Sequence, residues 1–245
     1  MSSKIGLNLT KHYSINFSLP KRKPKTIKFI ILHYTGMKKE TKAIQKLCNY
    51  TSKVSSHYFI KNSGEVLNLV PDIFEAWHAG KSKWDKYSML NKYSIGIEIQ
   101  NSGHDHFNEN YKIAQIHSLR KLIKKLINEY RINLKNILGH SDISPDRKKD
   151  PGEKFPWKIL AKSHLANWHN LNENKLKKKR LIRLNSVEEK EFFRNLYKIG
   201  YNKTKSSKSN YNKRVLTISF QRRFRQNLVN GIIDKECLFI SRNIF

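Results

Sequence analysis

The sequence predicts an α/β (α+β) domain followed by a smaller helical unit. Short apolar runs that are typical of buried strands occur together with helical patterns up to about residue 165. Beyond a basic stretch at 172–180, the apolar residues recur at helical spacing. The 245 residues include 38% hydrophobic ones, enough for a real core, and this excludes a wholly disordered chain.

Seven segments of the first unit have a clear pattern. The run 27–32 is short and rich in Ile, which indicates a buried strand that ends at His33. The segment 111–130 places its apolar side chains on one face and predicts the longest helix. Further strands are expected at 54–60, 66–70, 94–100 and 137–140, and a further helix at 40–50.

The C-terminal unit has recognisable helix boundaries. Ser186 and Glu189 fit a capping box that opens a helix, and Gly200 is a suitable C-terminal stop. A second amphipathic helix holds Leu216 through Leu228, and Asp234 is expected to cap a short final helix.

The chain carries 49 Lys and Arg against 19 Asp and Glu, a formal net charge of +30. Residues 1–170 contribute +17 of this and residues 171–245 contribute +13, so the excess is spread along the chain. A dedicated nucleic-acid binder concentrates its charge and favours Arg, so we expect general anion affinity without specific nucleic-acid recognition. Because no run of about 18 apolar residues occurs, we expect no transmembrane segment.

Three residues suggest a metal site. His33 and His140 each stand at a predicted strand end, and Asp150 follows ten residues after His140 in a polar loop. Two imidazoles and a carboxylate, with one position left open for water, are typical of catalytic zinc. Spacing alone leaves a structural role open for each histidine.

Six segments then occur in an order that resembles the zinc-dependent N-acetylmuramoyl-L-alanine amidases of type 2. They run from about residue 14 to 160. They are Ile31–Gly36 (ILHYTG), Val54–Tyr58 (VSSHY), Ala76–Gly80 (AWHAG), Ser94–Ile99 (SIGIEI), Gly139–Ile143 (GHSDI), and Asp150–Gly152 with Phe155–Trp157.

The resemblance implies a function and roles for five residues. It implies that His33, His140 and Asp150 bind one zinc ion, and that Glu98 handles the proton of the attacking water. Lys148 matches the lysine that stabilises the oxyanion, although a chance lysine is a serious alternative in so basic a chain. The reaction implied is hydrolysis of the amide bond between muramic acid and L-alanine. The expected partners are peptidoglycan fragments or muropeptides.

Five further side chains are weaker candidates for substrate binding, and each could equally have a structural role. They are Tyr34, His57, Trp77, His78 and Trp84.

The resemblance also extends to the tail, which is similar to three-helix peptidoglycan-binding domains. It implies a central mixed β-sheet flanked by helices, with a catalytic domain at 11–168, a basic linker at 169–184 and a helical domain at 185–245. The tail could alternatively only pack on the first domain.

Two alternative functions remain open at this point. One is a non-catalytic module that recognises muropeptides, and the other is a basic nucleic-acid-binding protein. The polar start of the sequence favours a cytoplasmic location, while a wall-binding tail would suit the cell envelope.

Overall fold

The computed structural model describes residues 9–203 and 209–244, and a six-stranded mixed β-sheet runs through its centre. The strands are β1 (Leu9–Lys11), β2 (Phe17–Ser18), β3 (Phe29–Tyr34), β4 (Tyr58–Ile60), β5 (Val66–Asn68), β6 (Glu75–Ala76), β7 (Lys83–Trp84), β8 (Tyr87–Ser88), β9 (Ser94–Ile99) and β10 (Ile137–Gly139). The central sheet has the strand order β1-β5-β4-β9-β3-β10, and two small two-stranded sheets pair β2 with β6 and β7 with β8.

The helices flank this sheet on both faces. They are α1 (Glu40–Cys48), α2 (Ile113–Tyr130), α3 (His140–Ile143), α4 (Trp157–Lys162), α5 (Glu173–Lys177), α6 (Ser186–Ile199), α7 (Ser209–Phe224) and α8 (Lys235–Arg242). The predicted α/β class with a central mixed sheet and a helical C-terminal unit is confirmed.

Four neighbouring strands bring their carboxyl ends to one edge of the sheet. β4, β9, β3 and β10 pair in parallel, while β5 runs antiparallel to β4. The register places His33 directly beside Glu98. Side chains that follow the ends of these strands therefore meet at the same edge, where ligands bind in open α/β sheets.

The two faces of β3 belong to two different hydrophobic cores. Ile30 and Leu32 pack with the apolar face of α2, because successive strand residues point to opposite sides. Phe29 and Ile31 pack instead with apolar residues of the C-terminal helices, including Phe192. The C-terminal unit is thus one of the layers that cover the sheet.

Two of the C-terminal helices, α6 and α8, begin at side-chain caps. Asn185 caps α6, because its Oδ1 accepts the amide of Glu188 at 2.9 Å and Glu188 Oε2 accepts the amide of Asn185 at 3.0 Å. The expected box at Ser186 and Glu189 is therefore wrong by one residue. Asp234 caps α8 as expected, through a 3.0 Å bond from the amide of Cys237.

Two further findings concern the linker and membranes. The stretch expected to be a linker at 169–184 contains α5, whose Leu176 is buried in the core shared with α6–α8. None of the helices in the described ranges is long and apolar enough to cross a membrane.

Candidate active site

Three buried side chains bring one donor atom each to a single point at the carboxyl edge of the sheet. His33 Nδ1 lies 3.0 Å from His140 Nδ1 and 2.9 Å from Asp150 Oδ2, and His140 Nδ1 lies 3.0 Å from the same oxygen. A tetrahedral zinc site with bonds of about 2.0–2.2 Å separates its ligand atoms by about 3.4 Å. The three atoms are therefore close to the arrangement that a small divalent cation requires.

The partner of the second His140 nitrogen decides which nitrogen of that ring can bind a metal. Nε2 lies 3.2 Å from the carbonyl oxygen of Ala79. Since a carbonyl oxygen accepts and never donates, the proton of the neutral ring is on Nε2. The Nδ1 lone pair is consequently free to face His33 and Asp150.

A chain of hydrogen bonds fixes the His33 ring in the same way. The Ser94 hydroxyl donates to the carbonyl of Leu90 at 2.6 Å, so its oxygen accepts from His78 Nε2 at 3.2 Å. His78 Nδ1 is then an acceptor, and His33 Nε2 donates to it at 3.1 Å. Two Nδ1 lone pairs and a carboxylate therefore face one another, an arrangement that is repulsive without a cation between them. The donor set fits zinc.

Burial and charge adjust the protonation of these ligands. Burial and the neighbouring His140 lower the pKa of His33 to about 4, so the imidazole is neutral at pH 7. Burial acts to raise the pKa of Asp150, but His140 and His33 more than offset it and hold the carboxyl well below its usual range. His33 and Asp150 are thus in the forms that bind a metal.

Glu98 is different in character from Asp150, although both face the same cleft. Its Oε2 is enclosed and has no hydrogen-bond partner among the described residues. Burial, followed by the charge of Asp150, raises the pKa of Glu98 well above its ordinary value, while Lys148 opposes the shift. A carboxylate with a raised pKa accepts a proton more readily than an ordinary glutamate does.

Lys148 lies at the mouth of the same site. Its side chain is half-buried, lines the cleft, and forms no ion pair in the part of the chain that the structure describes. Its neighbour Lys149 is exposed and contacts Asp105 at 3.5 Å. The Lys148 ammonium is therefore available to a negatively charged group in the cleft.

The cleft above these residues has a volume of about 320 Å³ and includes three of the five weaker candidates. Tyr34 lines it and bonds to His104 Nδ1 at 2.9 Å, and burial raises the pKa of Tyr34 to about 12. Trp77 also lines the cleft, and its indole N–H donates to Ser18 Oγ at 2.8 Å. His78 is 9% exposed, and both its ring nitrogens are used in the His33 chain.

Two of the expected substrate-binding residues lie elsewhere, and those predictions are wrong. Trp84 is 3% exposed, and its ring packs on Tyr201 in the core shared with the C-terminal helices. His57 is fully buried, where its Nδ1 accepts the amide of Gly96 at 2.9 Å. Both follow the structural alternative, because the Trp84 side chain of β7 and the His57 side chain just before β4 are buried in the interior.

Several residues of the cleft gave no clear signal in the sequence. Lys46 and Leu47 approach from α1, whose apolar pattern predicts only a packed helix face. Arg147 and Lys149 are hidden in the general excess of basic residues. His104, which bonds to Tyr34 and to Glu153 at 2.8 Å, stands in a loop without a pattern.

Comparison with known families gives a match over most of the first unit. The family described as N-acetylmuramoyl-L-alanine amidase matches residues 23–153. The N-acetylmuramoyl-L-alanine amidase AmiD of Escherichia coli is 32% identical over 223 residues, covering 86% of this chain and 79% of the relative. The 1,6-anhydro-N-acetylmuramyl-L-alanine amidase AmpD of the same organism is 42% identical over 105 residues, 43% of this chain and 55% of that relative.

Solved structures agree with these matches. The complex of Escherichia coli AmiD with anhydro-N-acetylmuramic acid-L-Ala-D-gamma-Glu-L-Lys superposes with a TM-score of 0.78 at 30% identity, covering 89% of this chain and 88% of that one. AmpDh3 from Pseudomonas aeruginosa has a TM-score of 0.77 at 29% identity, with 93% of each chain covered. Both similarities extend over nearly the whole chain, including the C-terminal helices.

Proposed function

Because the chain belongs to the N-acetylmuramoyl-L-alanine amidase family, we propose that it hydrolyses the amide bond between muramic acid and L-alanine with one zinc ion held by His33, His140 and Asp150. The observation that carries the proposal is the convergence of two Nδ1 lone pairs and one carboxylate oxygen within 3.0 Å of one another, beside Glu98, whose Oε2 has no hydrogen-bond partner among the described residues.

The metal supplies Lewis acidity, which polarises the scissile carbonyl and makes water a better nucleophile near neutral pH. The protein residues then account for the proton and the charge. Glu98 takes the proton of the attacking water, and its raised pKa lets it deliver that proton to the leaving amine of L-alanine. The ammonium of Lys148 faces the negative charge that develops on the carbonyl oxygen.

The charges around the cleft suit a muropeptide. Lys46, Arg147, Lys148 and Lys149 all line it, and a stem peptide carries carboxylates. The AmiD complex contains an anhydromuramyl tripeptide, and AmpDh3 has been solved with an anhydromuramic pentapeptide. We therefore infer that soluble muropeptides or peptidoglycan fragments are the substrates.

Two substitutions separate the assigned roles. Glu98→Ala removes the proton carrier and leaves the ligand set intact, so the variant should keep one zinc per chain and lose turnover. His140→Ala removes a ligand, so both zinc and turnover should be lost. Zinc is measured by elemental analysis after dialysis, and turnover by release of free stem peptide from a purified muropeptide.

The outcomes also distinguish the alternative functions. Loss of zinc in Glu98→Ala would contradict the assigned role of Glu98. A wild-type protein that holds zinc and binds muropeptide without cleaving it would be a recognition module. Submicromolar DNA affinity at physiological salt would favour the nucleic-acid alternative, whereas weak binding that disappears with added salt would reflect the general charge.

The cellular location stays a prediction. We favour the cytoplasm, with the cell envelope as the alternative. Fractionation of cells with an antibody to the C-terminal helices would test it, and recovery with the envelope would contradict it.

A further inference from the structure

The C-terminal helices contact the short segment that carries two of the three metal-binding residues. Asp142 lies on α3, in the same helical turn as His140, and is 1% exposed. Its Oδ2 accepts the amide of Gly139 and Arg223 Nη1, each at 2.8 Å, and its Oδ1 accepts the hydroxyl of Tyr201 at 2.6 Å. Two of these three donors belong to the C-terminal unit.

Arg223 connects the strand before His140 to the turn after it. While Nη1 bonds to Asp142, Nη2 donates to the carbonyl of Ile137, the first residue of β10, at 2.9 Å. The guanidinium lies 4.4 Å from the centre of the Trp157 ring, and Arg223 is 3% exposed. A buried guanidinium with two bonds and a stacked ring has one position, and it restricts the backbone on both sides of His140.

A second contact from α7 reaches the other side of the same turn. The hydroxyl of Ser219 donates to the carbonyl of Ser141 at 2.7 Å, and the amide of Ser141 donates to the carbonyl of Asp150 at 2.8 Å. Ser219 is fully buried. One residue, Ser141, therefore lies between a C-terminal side chain and the backbone of Asp150.

We propose that Tyr201, Ser219 and Arg223 are positioning residues for the metal centre, so that the C-terminal helical unit forms part of that centre. The inference rests on the proposed zinc site. These contacts differ from simple packing, because they converge on the helical turn of His140, and that turn is bonded through the Ser141 amide to the backbone of Asp150. Loss of a residue that hydrogen-bonds directly to a metal ligand typically weakens metal binding tenfold to a hundredfold. The three C-terminal residues act through one more hydrogen bond, so we expect an effect at the lower end, about tenfold.

Two substitutions remove single hydrogen bonds while nearly preserving volume, and each has a matched control. Tyr201→Phe is paired with Tyr58→Phe, because buried Tyr58 also donates to a carboxylate, that of Asp72 at 3.0 Å. Ser219→Ala is paired with Thr217→Val, because Thr217 lies in the same helix, is also fully buried, and donates to the carbonyl of Lys213 at 2.8 Å.

The measurements are the zinc Kd, by competition with a chromophoric chelator, and the urea unfolding midpoint of the metal-free protein. We expect Tyr201→Phe and Ser219→Ala each to weaken zinc binding about tenfold, and their controls to leave it unchanged. All four should lower the midpoint to a similar degree. The d–d spectrum of the cobalt-substituted protein should shift in Tyr201→Phe and stay unchanged in Tyr58→Phe.

Equal zinc Kd values within both pairs would overturn the inference and leave the C-terminal contacts as packing alone. Arg223→Lys gives a third comparison, since it keeps a cation near Asp142 and loses the second bond to Ile137. Its zinc Kd should lie between those of wild type and Tyr201→Phe, and a wild-type Kd would count against a positioning role of Arg223. If the wild-type protein itself fails to bind zinc, the proposed function fails instead.

Discussion

Substitution of Gly96 by Ala should disrupt the hydrogen-bonded chain behind His33. Gly96 lies in β9, directly against the ring of His78. A Cβ atom at this position would lie 2.5 Å from Cδ2 and 2.6 Å from Nδ1 of that ring. The ring cannot move without breaking contacts, since His78 is 9% exposed and bonded at both nitrogens.

The magnitude follows from these contacts. Overpacking of a buried site costs about 1–3 kcal/mol. A ring that moves away also weakens the bonds to His33 and Ser94, each of which contributes about 1 kcal/mol. We expect Gly96→Ala to lower the free energy of unfolding by about 3 kcal/mol, and to weaken zinc binding at least about tenfold through the released His33 ring.

A double-mutant cycle with His78→Ala tests this cause. When the ring is absent, the added methyl group has room, so Gly96→Ala should cost less than about 0.5 kcal/mol in the His78→Ala background. Urea unfolding of the metal-free proteins, followed by far-ultraviolet circular dichroism, gives the four free energies. An equal cost of Gly96→Ala in both backgrounds would refute the steric explanation.

Three further predictions concern charge in the cleft. Because the pKa of His33 is about 4 in the folded protein and about 6.5 in the unfolded chain, the unfolded state binds more protons between these values. His33 alone should make unfolding of the metal-free protein about 2 kcal/mol easier at pH 5 than at pH 7, and buried His57 and His78, whose pKa values are also lowered, should add to this; a free energy constant over this range would contradict it. Glu98→Gln should stabilise the metal-free protein by about 1 kcal/mol at pH 8, because the raised pKa of Glu98 means that the fold disfavours its ionised form. The gain should shrink as the pH falls, and a pH-independent gain in the melting temperature would argue against this origin. Lys148→Met should lower kcat by about 10²–10³ with zinc content unchanged, and equal losses in Lys149→Met would show that only the general charge matters.

The convergence of the three proposed zinc ligands follows from the sequence for a simple reason. His33 and His140 each follow an apolar run, and the parallel pairing of β3 with β10 brings such positions to one edge. Asp150 is close along the chain to His140, so a short loop suffices to return it. The order of the strands and loops along the chain therefore largely explains why these three side chains lie close together.

The contacts behind the site could not be predicted in this way. Asp142 is visible next to His140 in the sequence, but its partner Arg223 is 81 residues away and is one of 49 basic side chains. His78 resembles a substrate-side residue because its motif lies in a loop. Its position behind His33, where it accepts the His33 Nε2 proton, depends on the absence of a side chain at Gly96 and on the position of Ser94.

Trp84 shows why residue type alone fails at a cleft. An exposed aromatic ring and a core aromatic ring have the same chemistry, and the difference lies in what packs against them. Here Gly200 and Tyr201, more than a hundred residues later, cover the indole. That contact depends on the docking of the C-terminal unit, which no local pattern reveals.

Two carboxyl groups of the cleft, those of Asp150 and Glu98, have opposite pKa shifts that fit the proposed roles of metal ligand and proton carrier. Asp150 lies between two imidazoles, and its pKa falls because the ionised form gains both partners. Glu98 is flanked by Ile97 and Ile99 and has one oxygen without a hydrogen-bond partner among the described residues, so burial dominates and its pKa rises. Opposite shifts of neighbouring carboxyls are the usual sign of divided roles. To reverse these roles, the surroundings of the two carboxyl groups would therefore have to be exchanged. Exchanging the Asp and Glu side chains alone would not be enough.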